Sequence, residues 1–580
     1  MIKKIHKVIP TAIGQIAQKI EKSNYQIYLV GGSLRDLFLG KKLKDFDLTT
    51  DAKPEEILAI FPNSFYNNTF GTVGVKFSRE KKQEEVAEIT TFRREGFYSD
   101  QRHPDSVSFT KNIQEDLERR DFTINALVLD LKQINLSKDK KEGINRLEKI
   151  LTKVKLSKQK ISFKQTLLAQ MENYGPGIEG EKKNLLEVAE VPQLGSGSYP
   201  QYEIVTPDFS AISEKERAGF LIDLYGGLTD LEKRLIRAVG DPDTRFKEDA
   251  LRLLRAVRLA TELGFKIEKR TAESIRKNAP LLQKIARERI QDELTKIMLS
   301  PWPAEGIILL HQLGLLKEFL PVLEEGYGVE QNWHHIYSVF DHLTLALKFC
   351  FSDELPIRLA ALFHDVAKPR VKRIFKNGQA TFHFHEVEGE KIVRKNLNYL
   401  HFPVEIINET ALLVRYHMFN YDPALHNERT VRRMLHRVGG LERMNRLLIL
   451  RIADRLGSGC KKGEVYKIRK LKYLIEKVSS DPISLKQLKI NGQDLMDQLR
   501  IKPGVIIGDL LNLLLAKVID NPLSNKREKL LKLAEEIWIG EKANPGSLIK
   551  RKVKAEKYLE EEKEKRDTNL QDKYWVRGGR

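Results

Sequence analysis

The sequence predicts an α+β protein in which a small mixed α/β head precedes a long all-α neck, body and tail. Short runs rich in β-branched and aromatic residues, broken by glycine turns, concentrate between residues 25 and 130. From about residue 221 onward Leu, Ile and Ala recur at helical spacing with Arg and Lys interleaved, and strand signals become few. Length agrees: 580 residues that are 41% hydrophobic supply apolar surface for several cores, which excludes a chain disordered throughout.

The elements follow in order. Ile9, Ile13, Ile16 and Ile20 lie at helical spacing in MIKKIHKVIPTAIGQIAQKIEKS, so this stretch reads as an amphipathic helix and not as the apolar core of a signal peptide. YQIYLV (25–30) is a strand running into a glycine turn and a short helix, GGSLRDLFLG. DFDLTT (45–50) is a second strand, PEEILAIF (54–61) a helix, and GTVGVKF (71–77) and EVAEITTF (85–92) two more strands. Residues 131–220 break the scheme: the Lys-rich part through Lys164 reads as helical, and the remainder is turn chemistry with little periodicity. EDALRLLRAVR (248–258) reads as one helix with Leu251, Leu254 and Val257 facing inward. The expected domains are a head at 1–130, an insertion at 131–220, a neck at 221–325, a helical domain at 326–480, a helical tail at 481–540 and a charged end at 541–580, a frayed helix or a disordered tail.

The 100 Lys and Arg outnumber the 80 Asp and Glu by +20. Such a surplus serves solubility, or attracts the phosphates of a nucleic acid. The longest apolar runs, such as IILL at 307–310, fall far short of the roughly 20 residues of a membrane span. Cys350 and Cys460 form neither a CxxC pair nor a disulfide framework. The expectation is a cytoplasmic protein in a reducing compartment, with an anionic partner and no membrane.

LVGGSLRDLFLGKKLKDFDLTT is the most informative stretch. A strand ending in Gly31-Gly32 before a helix leaves backbone N–H groups aimed outward; Gly32 lets a phosphate approach, and Arg35 adds charge-assisted donors. On a strand, Asp45 and Asp47 point to one face while Phe46 and Leu48 point into the core. Alone, such a pair is a solvated strand edge. After the glycine turn, two converging carboxylates facing phosphate suit Mg2+.

Together with EITTFRREGFYSDQRHPDSVSF, LERRDFTINALVLD, LYGGLTDL, GDPDTRFKEDALRLLRAVR, ARERIQDELTKIM, LKINGQDLM and KPGVIIGDLLNLLL, this stretch resembles the class II tRNA nucleotidyltransferase and poly(A) polymerase family. The resemblance covers most of the chain outside 131–220 and the last residues; relatives run almost directly from the NALVLD strand to GGLTDL, so the insertion is a departure. It implies that Asp45 and Asp47 hold Mg2+ ions that activate an RNA 3′-hydroxyl and steady the pyrophosphate leaving group. It implies that Gly32 and Arg35 meet the triphosphate and that Arg120 and Asp121 meet phosphate and ribose; Glu88 is either a third carboxylate or a polar strand position. It also gives a meaning to Asp249, Arg252, Arg255 and Arg258, which at three-residue spacing otherwise read as an ion-paired helix face. Cytosine and adenine both present an amino donor beside a ring-nitrogen acceptor, so Asp249 accepting and Arg252 donating admit CTP and ATP and reject UTP and GTP. Arg255 and Arg258 bind the nucleotide or brace that pair. Residues 92–107 match the flexible loop that relatives need for the final A.

His342, His364-Asp365 in ALFHDVAKP and Asp454 in RIADRLG match the H…HD…D pattern of HD-domain phosphohydrolases, with His385 and His417 where further ligands often fall. Imidazole and carboxylate together suit Mg2+, Mn2+, Ni2+ or another divalent ion. The leading expectation is an enzyme that adds CCA to tRNA from CTP and ATP, with a second phosphohydrolase activity in the HD domain. The alternatives are a poly(A) polymerase, an enzyme adding only A, an HD phosphohydrolase with an RNA-binding head, and a non-catalytic RNA-binding protein.

Overall fold

The structure is a computed structural model and describes residues 9–41, 43, 45–68, 71–79, 83–96, 106–131, 153–161, 202–212, 221–331, 337–376, 379–460, 465–544, 546 and 548. The chain divides into two compact units, one of residues 1–415 and 450–463, the other of residues 416–449 and 464–580.

The first unit begins with the helix Thr11–Lys22, whose Ile13, Ile16 and Ile20 are buried as their spacing requires. The strands that follow are β1 (Ile27–Val30), β2 (Phe46–Thr50), β3 (Ser64–Asn68), β4 (Thr72–Arg79), β5 (Gln83–Thr91), β6 (Arg93–Glu95), β7 (Val107–Phe109) and β8 (Val128–Asp130). After the insertion come β9 (Lys155–Ile161), β10 (Tyr202–Asp208) and β11 (Leu221–Ile222). Seven strands form the head sheet in the order β11-β8-β1-β2-β5-β4-β3. β2 and β5 are parallel neighbours, with Asp47 opposite Glu88; the other pairs in this sheet are antiparallel. The helices Gly31–Phe38 and Pro54–Ile60 lie where the sequence places them.

Three features depart from the sequence reading. β3 reads SFYNN, too polar to register as a strand, and exists because β4 supplies its ladder. Residues 155–161, within the stretch expected to be helical, pair antiparallel with residues 202–208, fixing an extended conformation from outside the segment. The head also gains its edge strand from residues 221–222, beyond the expected boundary at 130. The C-terminal end of the insertion docks on head and neck: Phe209 packs edge-on against Phe38 with ring centroids 5.2 Å apart, and its N–H donates to Glu232, on helix Gly227–Lys233, at 2.8 Å. The rest of the insertion and nearly all of 541–580 lie outside the described residues.

In the neck, the expected single helix over 248–258 is broken. Helix Pro242–Glu248 ends at Asp249, whose extended backbone (φ −135°) turns the chain before helix Leu251–Leu263 begins. Leu251, Leu254 and Val257 are buried as expected. Helices Arg287–Leu299, Pro303–Gln312, Val339–Lys348, Leu355–Phe363 and His385–Tyr399 continue the unit. The second unit includes helices Gly492–Leu499, Val505–Asp520 and Arg527–Ala543 around a core of Leu495, Leu510, Leu514, Val518, Leu530 and Ala534. The expected helical domain at 326–480 is therefore shared between the two units, because residues 416–449 and 464–480 group with the tail. Among the described residues no helix is long and apolar enough to cross a membrane.

Candidate active site

The head and neck enclose a cleft of about 460 Å3. Its floor is the end of β1, the Gly31-Gly32 turn and Asp47 on β2; its far wall is Asp249, Arg252, Arg255 and Arg289 from the neck. Six arginines (Arg93, Arg119, Arg120, Arg252, Arg255 and Arg289) line it against three aspartates, so an anion is favoured there.

The turn at Gly31 has a left-handed backbone, φ +70°. A Cβ there would stand 3.1 Å from Asp47 Oδ2 and 3.3 Å from Arg120 Nη1, so glycine is what allows the helix Gly31–Phe38 to start against the carboxylate. The Ser33 hydroxyl accepts from the Asp47 N–H at 3.0 Å and lies 3.1 Å from Asp47 Oδ2, holding that carboxylate in place. Phe46 and Leu48 are buried, Asp47 is half-buried, and Asp45, one residue before β2, is exposed. The parallel register puts Glu88 on the same sheet face as Asp47.

Arg120 and Asp121 take their places through the chain around them. Buried Asp116 receives Arg119 at 2.7 Å and Arg120 at 3.3 Å. Burial would raise the Asp116 carboxyl, but the two guanidiniums outweigh it and hold it low. Asp121 accepts from Arg255 Nε at 2.9 Å, from Asn125 Nδ2 at 3.0 Å and from the Phe122 N–H at 2.8 Å. Burial opposes its ionisation too, yet Arg255 and Asn125 keep it far below the usual carboxylate range.

The neck arginines divide. Arg252 donates to Glu248 at 2.6 Å and to the Arg119 carbonyl at 2.9 Å, while Asp249 accepts from Arg289 at 2.9 Å. Arg258 stays out of the cleft and pairs with buried Glu293 at 3.2 Å. Arg35 is also absent from the lining: its guanidinium, 2.9 Å from Asp36 and 2.8 Å from Asn125, ties the helix Gly31–Phe38 to the turn at Thr123–Asn125. The cleft thus unites Gly32, Asp47, Arg120, Asp121, Asp249, Arg252 and Arg255, and the structure spends Arg35 and Arg258 on packing the walls. Arg93, Arg119 and Arg289 were not singled out by sequence reasoning. Arg289 lies inside ARERIQDELTKIM, but nothing in that stretch announces that it points at Asp249. Of the flexible-loop match, residues 97–105 lie outside the described residues; its base is the β6–β7 ladder, where Glu95 holds Arg93 at 2.7 Å and Arg119 at 3.3 Å.

A second cluster sits in the body. His342 comes from helix Val339–Lys348, His364 and Asp365 follow helix Leu355–Phe363, and Asp454 lies on helix Leu441–Gly457. Their ligand atoms converge: His342 Nε2 is 2.8 Å from His364 Nε2, 3.1 Å from Asp365 Oδ2 and 3.4 Å from Asp454 Oδ1. Mutual spacings near 3 Å are those of atoms sharing one divalent ion at roughly 2.1 Å. His364 Nδ1 lies 2.9 Å from the Ala361 carbonyl, which orients Nε2 toward the cluster. Burial works to lower the His364 pKa, but Asp365 and Asp454 outweigh it and push it up to about 10. His385 Nε2 lies 3.2 Å from Asp365 Oδ1, and Lys368 Nζ 2.6 Å from Asp365 Oδ2. His417 belongs to the other unit.

Comparison with known proteins agrees with this layout. Residues 27–152 match the poly A polymerase head domain, residues 264–326 the probable RNA and SrmB-binding site of polymerase A, and residues 333–458 the HD domain. The chain is 33% identical over 315 residues to a CCA-adding enzyme of Geobacillus thermodenitrificans, covering 54% of this chain and 55% of that one. The match thus spans about half of that relative's length. It is 28% identical over 524 residues to a CCA-adding enzyme of Ligilactobacillus salivarius, covering 90% of this chain and 95% of that one. The fold is similar to the crystal structure of the Bacillus stearothermophilus CCA-adding enzyme in complex with CTP, with a TM-score of 0.59 at 22% identity over 92% of this chain and all of that one.

Proposed function

Since the chain belongs to the class II tRNA nucleotidyltransferase and poly(A) polymerase family, with an HD-type domain in its body, we propose that it adds CCA to the 3′ end of tRNA from CTP and ATP, without a nucleic-acid template. The observation that carries this is the single cleft in which Asp47, the Gly31-Gly32 turn, six arginines and Asp249 meet. The arginines draw the triphosphate in and neutralise it, and Gly32 leaves room for phosphate at the helix start. Asp121, whose two oxygens are taken up by Arg255, Asn125 and the Phe122 N–H, meets the ribose by giving up one of those bonds to a sugar hydroxyl. Asp249 accepts the exocyclic amino group of cytosine or adenine while Arg252 donates to the ring nitrogen, and uracil or guanine would set acceptor against acceptor.

Asp47 fits a divalent ion: it offers hard oxygens, Ser33 fixes its Oδ2, and Glu88 shares its sheet face; Asp45, exposed one residue before β2 and outside the cleft lining, is the second carboxylate that the resemblance implies. When bound, Mg2+ there supplies Lewis acidity for attack of the RNA 3′-oxygen on the α-phosphate and for departure of pyrophosphate. Arg35 acts on the triphosphate only indirectly, by fixing the glycine turn, and Arg258 braces the neck. A second reading concerns the body: His342, His364, Asp365 and Asp454 hold one divalent ion, Mg2+, Mn2+ or Ni2+, and hydrolyse a phosphate ester. The convergence of their ligand atoms supports it. A cytoplasmic place accords with tRNA as substrate.

The deciding measurement extends two transcripts, tRNA ending at the discriminator base and tRNA ending in CC, with each labelled nucleotide and Mg2+. Three added residues on the first, needing both CTP and ATP, is the expected outcome. A single A on the second alone makes it an A-adding enzyme, and a long A ladder makes it a poly(A) polymerase. No extension moves the activity to the HD site.

A further inference from the structure

Asp249 does not face the cleft unassisted. Arg289 grips its carboxylate through both oxygens, with Nη1 3.3 Å from Oδ1 and Nη2 2.9 Å from Oδ2. Oδ1 also accepts the Leu251 N–H at 3.0 Å. Each carboxylate oxygen has two lone-pair positions. Oδ1 therefore has both engaged, and Oδ2 keeps one position beyond its bond to Arg289.

The anchoring is firm on both sides. Asp249 stands where two neck helices meet, its backbone turned by the break between them. Arg289 rises from helix Arg287–Leu299, whose Ile290, Leu294 and Ile297 are buried. Both side chains line the cleft. A guanidinium fork bound to two oxygens fixes the plane of a carboxylate, which a single point charge does not.

We propose that Arg289 is a specificity-determining positioning residue, which locks the Asp249 carboxylate so that one acceptor position on Oδ2 is left to read the amino group of cytosine or adenine. The proposal rests on the reading of Asp249 as the base-recognising acceptor. Arg252 is held separately, by Glu248 and the Arg119 carbonyl, so the donor and acceptor of the pair have independent supports. Without Arg289 the Asp249 side chain rotates, either oxygen can turn into the cleft, and a mismatched base no longer meets a fixed acceptor. The discrimination between bases falls before the chemistry does.

The test uses the full-length protein with Arg289→Gln and Arg289→Lys, measuring kcat and KM for CTP, ATP, UTP and GTP on both transcripts, with thermal melting as the fold control. Arg289→Gln is expected to raise KM for CTP and ATP and to cut the CTP-over-UTP and ATP-over-GTP ratios roughly tenfold or more. Arg289→Lys, which keeps the charge and loses the fork, should fall between. Adding Arg289→Gln to Asp249→Ala should change selectivity no further, since Arg289 acts through Asp249. Equal loss with all four nucleotides at unchanged ratios means a merely structural role and overturns the proposal, as does a selectivity change that adds to that of Asp249→Ala. If Arg289→Gln fails to fold, wild-type ratios in Arg289→Lys overturn it equally. A wild-type protein that incorporates neither C nor A would instead sink the functional reading on which this rests.

Discussion

Single residues set the tolerances of the cleft, and Gly31 is the strictest. Its left-handed backbone costs a side chain about 1 kcal/mol, and the added methyl would crowd Asp47 Oδ2 at 3.1 Å. Gly31→Ala is therefore expected to lower the melting temperature by only a few degrees and to cut nucleotide addition far more, because the displaced group is the carboxylate. Wild-type kcat in a correctly folded Gly31→Ala protein would show that the carboxylate position is not critical. At the same scale, the direction of Asp47, opposite the buried Phe46 and Leu48, was legible because alternation on a strand is a local rule, whereas Asp45 lies one residue before β2 and outside the cleft lining. Arg289 was not, because its meaning depends on a partner 40 residues away.

Elements decide how the walls of the cleft meet. The C-terminal end of the short helix Ile113–Glu118 is received by three neck arginines: Arg245 at the Glu118 carbonyl (2.9 Å), Arg252 at the Arg119 carbonyl (2.9 Å) and Arg255 at Asp121. Cations at a helix C-terminus satisfy its last carbonyls and its dipole, so the charge run in RFKEDALRLLRAVR is a joint between head and neck. Elsewhere the packing of helices traps charge at a cost. Lys348 and Glu305, on helices Val339–Lys348 and Pro303–Gln312, lie 3.8 Å apart with both side chains largely buried. Burial pushes Lys348 down to about 7 from the 10.5 of an unperturbed lysine, against the pull of Glu305. Between those values the unfolded chain holds a proton that the folded chain has released, so stability rises with pH across that window. Lys348→Met should remove that rise. Urea unfolding of both proteins at about pH 7 and about pH 9 checks it, and identical changes with pH in the two would refute the assignment.

At the scale of the whole molecule, two chemically distinct centres share one chain: an arginine-lined cleft in the head and neck, and a histidine–aspartate cluster in the body. They are expected to fail independently. Asp47→Asn should abolish nucleotide addition and leave divalent metal bound in the body, whereas Asp365→Ala should lose that metal and keep addition. Metal content by elemental analysis beside the transcript assay decides it; loss of addition in a folded Asp365→Ala protein would tie the two centres together. The charge of +20 suits the proposed tRNA substrate, a polyanion.

The sequence by itself determined the head's four main strands and the helical period of the neck and body, and it singled out Asp47 and the His342, His364-Asp365 and Asp454 set that the fold brings together. These signals are local: period 2, period 3.6, and residue types whose chemistry is specific wherever they stand. Only the tertiary structure decided that residues 155–161 are a strand, that β11 completes the head sheet, and that the neck helix breaks at Asp249. It alone separated the arginines that face the cleft from Arg35 and Arg258, which hold its walls. An arginine's sequence neighbours fix neither its direction nor its partner, because its long side chain reaches whatever carboxylate or carbonyl the fold brings near.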